Sequence, residues 1–253
     1  MLEIRNISAG YGKHQVLHRV SLTAMPGQIT AILGRNGCGK STLLKAVAGI
    51  LPLTSGEVLV DGCDLKPLTP GERARRISYL AQGNGAPDVS VGRLVLQGRF
   101  PYLSYPRRYR EGDFTAAEKA MEQLGISHLA DAPLETLSGG MRQKAYIAMA
   151  LAQQTGVILL DEPTTYLDVG QQLQFARMLR QLAERGKTVV LVIHDILLAL
   201  KLADRICVLE EGCVKAQGSP EVVLSSGVLE GLYGVKIRSV PTGSGLQYYI
   251  EEG

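Results

Sequence analysis

The pattern of apolar and polar residues predicts strands that alternate with helices. Val157–Asp161 and Thr188–Ile193 are apolar at nearly every position and rich in β-branched residues, as expected of strands buried on both faces of a parallel sheet. Between them an amphipathic pattern predicts a helix from Asp168 to about Arg185, ended by Gly186. The helix positions predicted to face the core are Leu173, Ala176, Leu179, Leu182 and Ala183. Strand, helix and strand at this spacing indicate an α/β fold.

Shorter patterns extend the same architecture along the chain. They predict strands at Leu2–Ser8, Gln28–Leu33, Glu57–Val60 and Leu246–Ile250, and helices at Lys40–Gly49, Thr115–Leu124 and Ser138–Gln153. Thr115 and Glu118 have the spacing of a helix-initiating capping box. Helical patterns dominate from about residue 84 to 153. We therefore expect a single domain, 1–253, with an α-helical subdomain at about 84–153 inserted in the sheet core.

The composition narrows the class of protein without identifying it. Hydrophobic residues make up 45% of the chain and charged residues 20%, which is typical of a folded globular protein and excludes bulk disorder. The net charge of +3 is too small to indicate nucleic acid by itself. The chain lacks an apolar run of membrane-spanning length and an apolar N-terminal signal, so we expect the cytoplasm. The four cysteines lack Cys-x-x-Cys spacing, which favours reduced, structural thiols.

A glycine-rich segment between a predicted strand and a predicted helix carries the strongest chemical signal. Gly34–Ser41 matches G-x-x-x-x-G-K-S, the phosphate-binding loop, in the strand–loop–helix context that supports the motif. Glycines let backbone N–H groups approach phosphate oxygens, and the helix N-terminus adds its positive dipole end. Lys40 is expected on the β- and γ-phosphates and Ser41 on Mg²⁺. The residues predicted to contact nucleotide here are Gly34, Asn36, Gly37, Cys38, Gly39, Lys40, Ser41 and Thr42.

Two carboxylates follow the central strand at Val157–Leu160. Asp161 comes at the carboxyl end of this strand, where ligands bind on an open parallel sheet, and is the expected partner of Mg²⁺. Glu162 is adjacent, and a carboxylate there can orient and deprotonate the attacking water. A solvated strand end is the plain alternative for this pair, and the phosphate loop upstream argues against it.

A second glycine-rich helix start carries a family resemblance. Leu137–Gln143 reads LSGGMRQ, with Ser138 as a helix N-cap followed by Gly139 and Gly140. Together with the phosphate loop, this segment resembles the ATP-binding subunits of ABC transporters over essentially the whole chain. The resemblance implies the P-loop NTPase fold of ABC ATPases, with a mixed sheet core, an antiparallel β edge and a helical subdomain. It also implies ATP and Mg²⁺ as ligands, and a head-to-tail homodimer in which the signature of each subunit closes over the ATP of the other.

Further positions match the family in order. Tyr11 resembles the aromatic that stacks on adenine, and a plain surface tyrosine is the alternative. Gln82 resembles the glutamine that senses Mg²⁺ and the γ-phosphate. Asp168 resembles the dimer-contact aspartate, although a helix N-cap explains it nearly as well. His194, directly after a central strand, resembles the switch histidine on the γ-phosphate rather than a structural histidine. The resemblance thus assigns catalysis to Glu162, His194, Gln82 and Lys40, and the metal to Ser41, Gln82 and Asp161.

Subfamily motifs favour an importer. Leu68–Ser78, Gly98–Leu103 and Asp161–Asp168 resemble import ATPases for ferric siderophores, haem and cobalamin, and Thr164-Thr165-Tyr166 is most like those for ferric siderophores and ferric citrate. This resemblance implies integral membrane permease subunits as partners and, indirectly, a periplasmic or surface substrate-binding protein. It places the chain at the cytoplasmic face of the membrane as a peripheral subunit.

Two questions stay open in the sequence. Basic and aromatic residues interleave from Arg99 to Arg110, which fits a groove for the membrane subunit, a solvated loop or, least well given the weak charge, nucleic acid. A different functional class is also possible, a soluble ABC ATPase that acts in assembly, such as iron–sulfur cluster biogenesis.

Overall fold

The computed structural model describes residues 1–83, 85, 87–164, 167–243 and 245–251. Thr165 and Tyr166, which belong to the subfamily motif, lie outside the described residues. The strands are β1 (Leu2–Tyr11), β2 (His14–Ala24), β3 (Ile29–Leu33), β4 (Leu53–Val60), β5 (Cys63–Asp64), β6 (Ile77–Leu80), β7 (Val157–Asp161), β8 (Thr188–Val192), β9 (Arg205–Glu210), β10 (Cys213–Gly218), β11 (Lys236–Thr242) and β12 (Gly245–Glu251).

Helices surround and connect these strands. They are α1 (Lys40–Val47), α2 (Pro70–Ala74), α3 (Val91–Gln97), α4 (Glu111–Gln123), α5 (Gly139–Ala152), α6 (Val169–Glu184), α7 (Ile196–Leu202), α8 (Pro220–Ser225) and α9 (Val228–Tyr233). Helices α3, α4 and α5 pack on one another and fall within the predicted helical range. The boundaries of that subdomain and its place within a single domain stay a prediction. No helix in the described ranges is both long enough and apolar enough to cross a bilayer.

The central sheet is mixed and gathers the predicted chemistry at one edge. Its order is β10-β9-β3-β8-β7-β6, with β9, β3, β8, β7 and β6 parallel and β10 antiparallel. Every residue of β3, β7 and β8 is buried, which confirms them as central strands. Because these strands are parallel, the loops that follow them meet at a common edge.

A second sheet completes the nucleotide-binding half. It is antiparallel in the order β2-β1-β4-β5. Helix α1 lies between it and the central sheet, because Leu43, Leu44 and Val47 share one apolar cluster with Leu2 and Leu159. Burying α1 between two sheets fixes the phosphate loop that precedes it.

Strand β2 was not predicted, and its burial pattern shows why. Leu17 and Val20 are both fully buried although they stand three positions apart, so simple alternation fails. Arg19 between them has a φ of +51°, and the register with β1 shifts nearby. A bulged strand loses the period of two on which sequence recognition depends.

The capping box predicted at Thr115 and Glu118 is wrong. Helix α4 begins at Glu111, and Thr115 Oγ1 donates within the helix to the Glu111 carbonyl at 3.1 Å. Asp113 serves the first turn instead, since its Oδ2 accepts from the Arg110 N–H at 3.0 Å. Its Oδ1 pairs with Arg99 Nε at 3.0 Å, a buried ion pair that the local pattern does not show.

The inward face predicted for α6 needs one correction. The helix and its N-cap at Asp168 are as expected, and Leu179, Leu182 and Ala183 are buried. Leu173, however, is 43% exposed, whereas Phe175 is 6% exposed and occupies the core. The large aromatic ring offers more apolar area to bury and sets the rotation of the first turns.

Candidate nucleotide site

A cavity of about 490 Å³ lies at the edge where the parallel strands end. Strand β2, the phosphate loop and the segments after β6, β7 and β8 all contribute to it. The lining residues are Val16, Asn36, Gly37, Gly39, Lys40, Ser41, Thr42, Gln82, Glu162 and His194. Residues far apart in sequence and predicted for one site therefore meet in one cavity.

The geometry of the phosphate loop fits an anion. Gly34, Gly37 and Gly39 have φ values of +155°, +80° and +105°, a region that glycine adopts without strain. Gly39 is the N-cap of helix α1, which has no side-chain cap and no acidic residue in its first turn. Its first N–H groups and positive dipole end are therefore available to a phosphate.

Lys40 carries the buried positive charge of this loop. Its side chain is 5% exposed, and Nζ donates to the carbonyl oxygens of Gly34 at 2.7 Å and Arg35 at 3.0 Å. Both acceptors are neutral, so they position the ammonium without neutralising its charge. An anion that enters the cavity meets a cation that is already in place.

Asp161 and Ser41 form a donor set suited to Mg²⁺. Ser41 Oγ donates to Asp161 Oδ1 at 2.9 Å, and the Tyr79 hydroxyl donates to Asp161 Oδ2 at 3.1 Å. Burial raises the pKa of Asp161, and these two hydrogen bonds oppose the rise. A hydroxyl, a carboxylate and the nearby Gln82 amide are oxygen donors of the kind that Mg²⁺ takes together with phosphate oxygens.

Glu162 has the most unusual backbone of the site. It follows β7 with a φ of +50°, a left-handed conformation that costs a residue with a Cβ about 1–2 kcal/mol. Its N–H donates to the Val192 carbonyl at 3.2 Å, which ties it to the end of β8. Its carboxylate contacts Gln82 Nε2 through one oxygen and His194 Nε2 through the other. The structure thus joins the three polar residues that were predicted to act near the γ-phosphate.

The signature segment lies apart from this cavity. Ser138 caps α5, since its Oγ accepts from the Met141 N–H at 3.4 Å, and Ser138 and Gly139 are exposed. Gly140 lines a different cavity between α5 and α6, where an added Cβ would stand 2.5 Å from Gln171 Oε1. The chain does not bring its own signature to its own phosphate loop.

Three further predicted residues take different positions. Tyr11 ends β1 and is 50% exposed. Asp168 caps α6, with Oδ1 accepting from the Gln171 N–H at 2.8 Å, so its N-cap role is observed and its dimer contact stays a prediction. Cys38 is 8% exposed and packs in the apolar cluster around α1, where burial raises the pKa of its thiol.

Two residues of the site were missed from the sequence. Tyr79 lies in β6, three residues before Gln82, and this proximity to a predicted site residue could have indicated its role. Val16 lies in the bulged strand β2, whose broken pattern hid it. Neither belongs to a motif that is readable without the fold.

Comparison with known proteins decides the family. The family model described as ABC transporter matches residues 17–165. The chain belongs to the ABC transporter family. As a member it is an ABC-type ATPase with an ATP-binding domain, which confirms the fold and enzyme class expected from the motifs.

Similar members of the ABC transporter family include import proteins. The chain is 42% identical over 232 residues to the ferric enterobactin transport ATP-binding protein FepC of Escherichia coli (strain K12), covering 91% of this chain and 86% of FepC. An inward-facing metal-chelate type ABC transporter has a TM-score of 0.85 at 28% identity, covering 99% and 97% of the two chains. The dimeric bacterial ABC transporter cassette MJ0796 has a TM-score of 0.75 at 29% identity, covering 87% and 99%.

Proposed function

We propose that this ABC ATPase powers the import of a ferric siderophore or a related iron chelate. The similarity to FepC and to a metal-chelate transporter supports the substrate class. The assignment of ATP hydrolysis to this site is supported by one observation. Glu162 contacts both Gln82 and His194 in the cavity that the phosphate loop lines. The substrate is not expected to touch this subunit, so the substrate class rests on relatives rather than on a pocket.

Different residues of the cavity are assigned to phosphate binding, metal binding and proton transfer. The glycine-rich loop and Lys40 bind the phosphates and hold the γ-phosphoryl group for in-line attack. Ser41, Asp161 and Gln82 would hold Mg²⁺, which when bound neutralises charge on the β- and γ-phosphates. Glu162 accepts a proton from the attacking water, the new P–O bond forms, and the bond to the β-phosphate oxygen breaks.

The contacts of Glu162 suggest how hydrolysis is controlled. The two carboxylate oxygens of Glu162 contact Gln82 and His194. From the family resemblance we expect both partners to contact the γ-phosphate when ATP is bound. Their move to the phosphate frees the carboxylate to orient water, so we expect catalysis only in the closed, ATP-bound state.

A second copy of the chain would complete the site. Ser138 and Gly139 are exposed and lie outside the chain's own cavity. Ser138 caps α5 and Gly139 is its first residue, at a helix N-terminus that suits an anion. A head-to-tail homodimer would bring them to the ATP of the partner, and the dimeric cassette with a similar fold supports the formation of a dimer.

The segment Arg99–Arg110 would serve the membrane permease. Phe100 and Tyr105 are 49% and 97% exposed, and Arg107 lies over the Phe100 ring at 4.7 Å. Arg99, in contrast, is buried against Asp113 and supports the fold. We therefore propose docking through the exposed part of the segment, at the cytoplasmic face of the membrane, with a substrate-binding protein delivering the chelate from the other side.

Purification of the tagged chain from detergent-solubilised membranes tests this function. We expect a polytopic permease to co-purify, whereas a soluble partner alone would favour an assembly ATPase. The purified complex is then reconstituted in proteoliposomes and supplied with ferric enterobactin, haem or cobalamin. ATP-dependent accumulation of ferric enterobactin, abolished by Lys40→Ala, would support the proposal, and exclusive uptake of haem or cobalamin would overturn the substrate class.

A further inference from the structure

The phosphate loop is held by a residue from the far end of the chain. The Gly34 N–H donates to the Tyr233 hydroxyl at 3.0 Å across 199 residues of sequence. Tyr233 is the last residue of α9, and Gly234 ends that helix in the left-handed conformation with a φ of +69°. Tyr233 lies well beyond residues 17–165, the part of the chain that the family model matches.

Gly34 is the point where the chain leaves the central sheet and enters the loop. Its φ of +155° suits glycine, and an added Cβ would stand 2.2 Å from the Leu209 carbonyl oxygen and 2.6 Å from Cys38 Sγ. This close packing fixes the position of Gly34, and its N–H is directed to a distant segment of the chain. The Tyr233 hydroxyl satisfies that N–H, which would otherwise be costly to bury.

The acceptor is well suited to this task. Tyr233 is partly buried, and its ring packs against the apolar cluster that contains Leu229 and Leu232. Burial raises the pKa of Tyr233, and the hydrogen bond from Gly34 opposes the rise. The hydroxyl therefore stays protonated at neutral pH and accepts as a neutral group in a fixed position.

Gly34 is held by two side chains, of which one is expected to leave. Lys40 Nζ donates to the Gly34 carbonyl at 2.7 Å, while Tyr233 accepts from its N–H. When phosphate binds, Lys40 exchanges this carbonyl for phosphate oxygens. Tyr233 then becomes the remaining side-chain hydrogen bond on Gly34, so its contribution should be greatest in the nucleotide-bound state.

We propose that Tyr233 is a positioning residue for nucleotide binding, which holds the entry of the phosphate loop while Lys40 moves to the phosphate. This inference rests on the proposed nucleotide site. Helix α9 would then contribute to ATP affinity, although it lies outside the nucleotide-binding motifs of the sequence.

Tyr233→Phe tests the inference, because it removes the hydroxyl and keeps the ring. We expect the Kd for MgATP, measured by calorimetry on the full chain, to rise by about 3-fold or more. The full net value of one hydrogen bond, about 10-fold, is the upper limit, because the bond is also present in the free state and only its greater contribution in the bound state changes the Kd. The KM of hydrolysis should rise with it while kcat at saturating MgATP is kept. Exchange of the Gly34 amide hydrogen, followed by NMR, should become faster in the variant, most clearly with nucleotide bound.

Tyr146→Phe is the matched control. Its buried hydroxyl also bonds a backbone group, the Gly85 carbonyl at 2.6 Å, away from the loop. A Kd for Tyr233→Phe within about twofold of wild type, or an equal change in both variants, would overturn the inference. So would a loss confined to Tm and active fraction, or unchanged exchange of Gly34. If the wild type itself failed to bind MgATP, the nucleotide site would be wrong and this inference with it.

Discussion

The phosphate loop and the signature segment are both glycine-rich starts of helices, but they differ in how complete they are. The phosphate loop leads into α1, which is buried between two sheets, and it lines its cavity together with Gln82, Glu162 and His194. The signature leads into α5 with its serine cap made locally, and Ser138 and Gly139 are exposed. The first helix start lines a cavity within its own chain, whereas the second is exposed at its N-terminus.

This difference supports the proposal that the signature acts on the ATP of a second copy of the chain. A helix N-terminus that is exposed and free of acidic residues in its first turn attracts an anion. Within one chain, we expect the phosphate loop, and not the signature, to bind the phosphates. The comparison therefore predicts separate effects for mutations in the two helix starts.

Lys40→Ala should have the largest effect on nucleotide binding, because it removes the buried cation of the phosphate loop. We expect the affinity for MgATP, measured by calorimetry, to fall by about 100-fold or more, since charge-assisted bonds to phosphate are lost. Lys187→Ala is a matched control, as Lys187 Nζ also donates to a backbone carbonyl, that of Thr155 at 2.6 Å, outside the cavity. Undiminished affinity in Lys40→Ala would show that the loop is not the phosphate site.

Ser138→Arg should abolish hydrolysis and leave ATP binding by the isolated subunit intact. The bulky side chain removes the cap oxygen and keeps the two faces of the dimer from closing, while the cavity residues are untouched. Ser219→Arg is the control, because Ser219 caps α8 through the Val222 N–H at 3.5 Å. Loss of ATP binding by monomeric Ser138→Arg would place the signature in its own subunit's site.

A mixture of the Lys40→Ala and Ser138→Arg variants tests whether each ATP site is shared between two subunits. A heterodimer of Lys40→Ala and Ser138→Arg subunits has one composite site with both defects and one with neither. We expect nucleotide-dependent closure at the intact site, detected by cross-linking or size-exclusion chromatography, whereas neither homodimer should close. Absence of closure in the heterodimer would contradict the shared-site geometry.

Glu162→Gln should slow hydrolysis by roughly 10²–10⁴-fold while ATP still binds, because the amide keeps its shape but cannot take a proton. The variant should accumulate as an ATP-bound dimer on size-exclusion chromatography. Glu57→Gln, in the antiparallel sheet against Arg5, is the control and should behave as wild type. Hydrolysis at the wild-type rate in Glu162→Gln would mean that another group is the base.

Tyr79→Phe should have the smallest effect of the series. The Asp161 carboxylate accepts from two side chains, the Ser41 hydroxyl and the Tyr79 hydroxyl. The variant removes the hydrogen bond from Tyr79 and keeps the one from Ser41. We expect the Mg²⁺ concentration for half-maximal hydrolysis to rise on the order of tenfold, the value of one bond to a charged group. ATP affinity measured without Mg²⁺ serves as the internal control and should not change. An unchanged Mg²⁺ dependence would limit Tyr79 to packing.

Some contacts in the structure were predictable from local sequence patterns, and others were not. The phosphate loop and the Asp168 cap were predictable, because each depends on residues within a few positions. The start of α4 was not, since Asp113 takes its partner from Arg99 in a separate segment. Strand β2 was missed because the bulge at Arg19 breaks its alternation.

The class of chemistry follows from local sequence: a phosphate-binding loop, two carboxylates after a buried strand and a capped, glycine-rich signature. Each of these features depends on backbone conformation within a few residues. Three contacts, in contrast, depend on how the whole chain packs: Glu162 lies between Gln82 and His194, Tyr79 donates to Asp161, and Tyr233 accepts from Gly34. Such contacts join elements that are distant in the chain, and they arise when parallel strands place their ends at one edge and helices pack across it. No periodicity along the chain carries that information, because the packing of whole elements, rather than their local propensity, brings those side chains together.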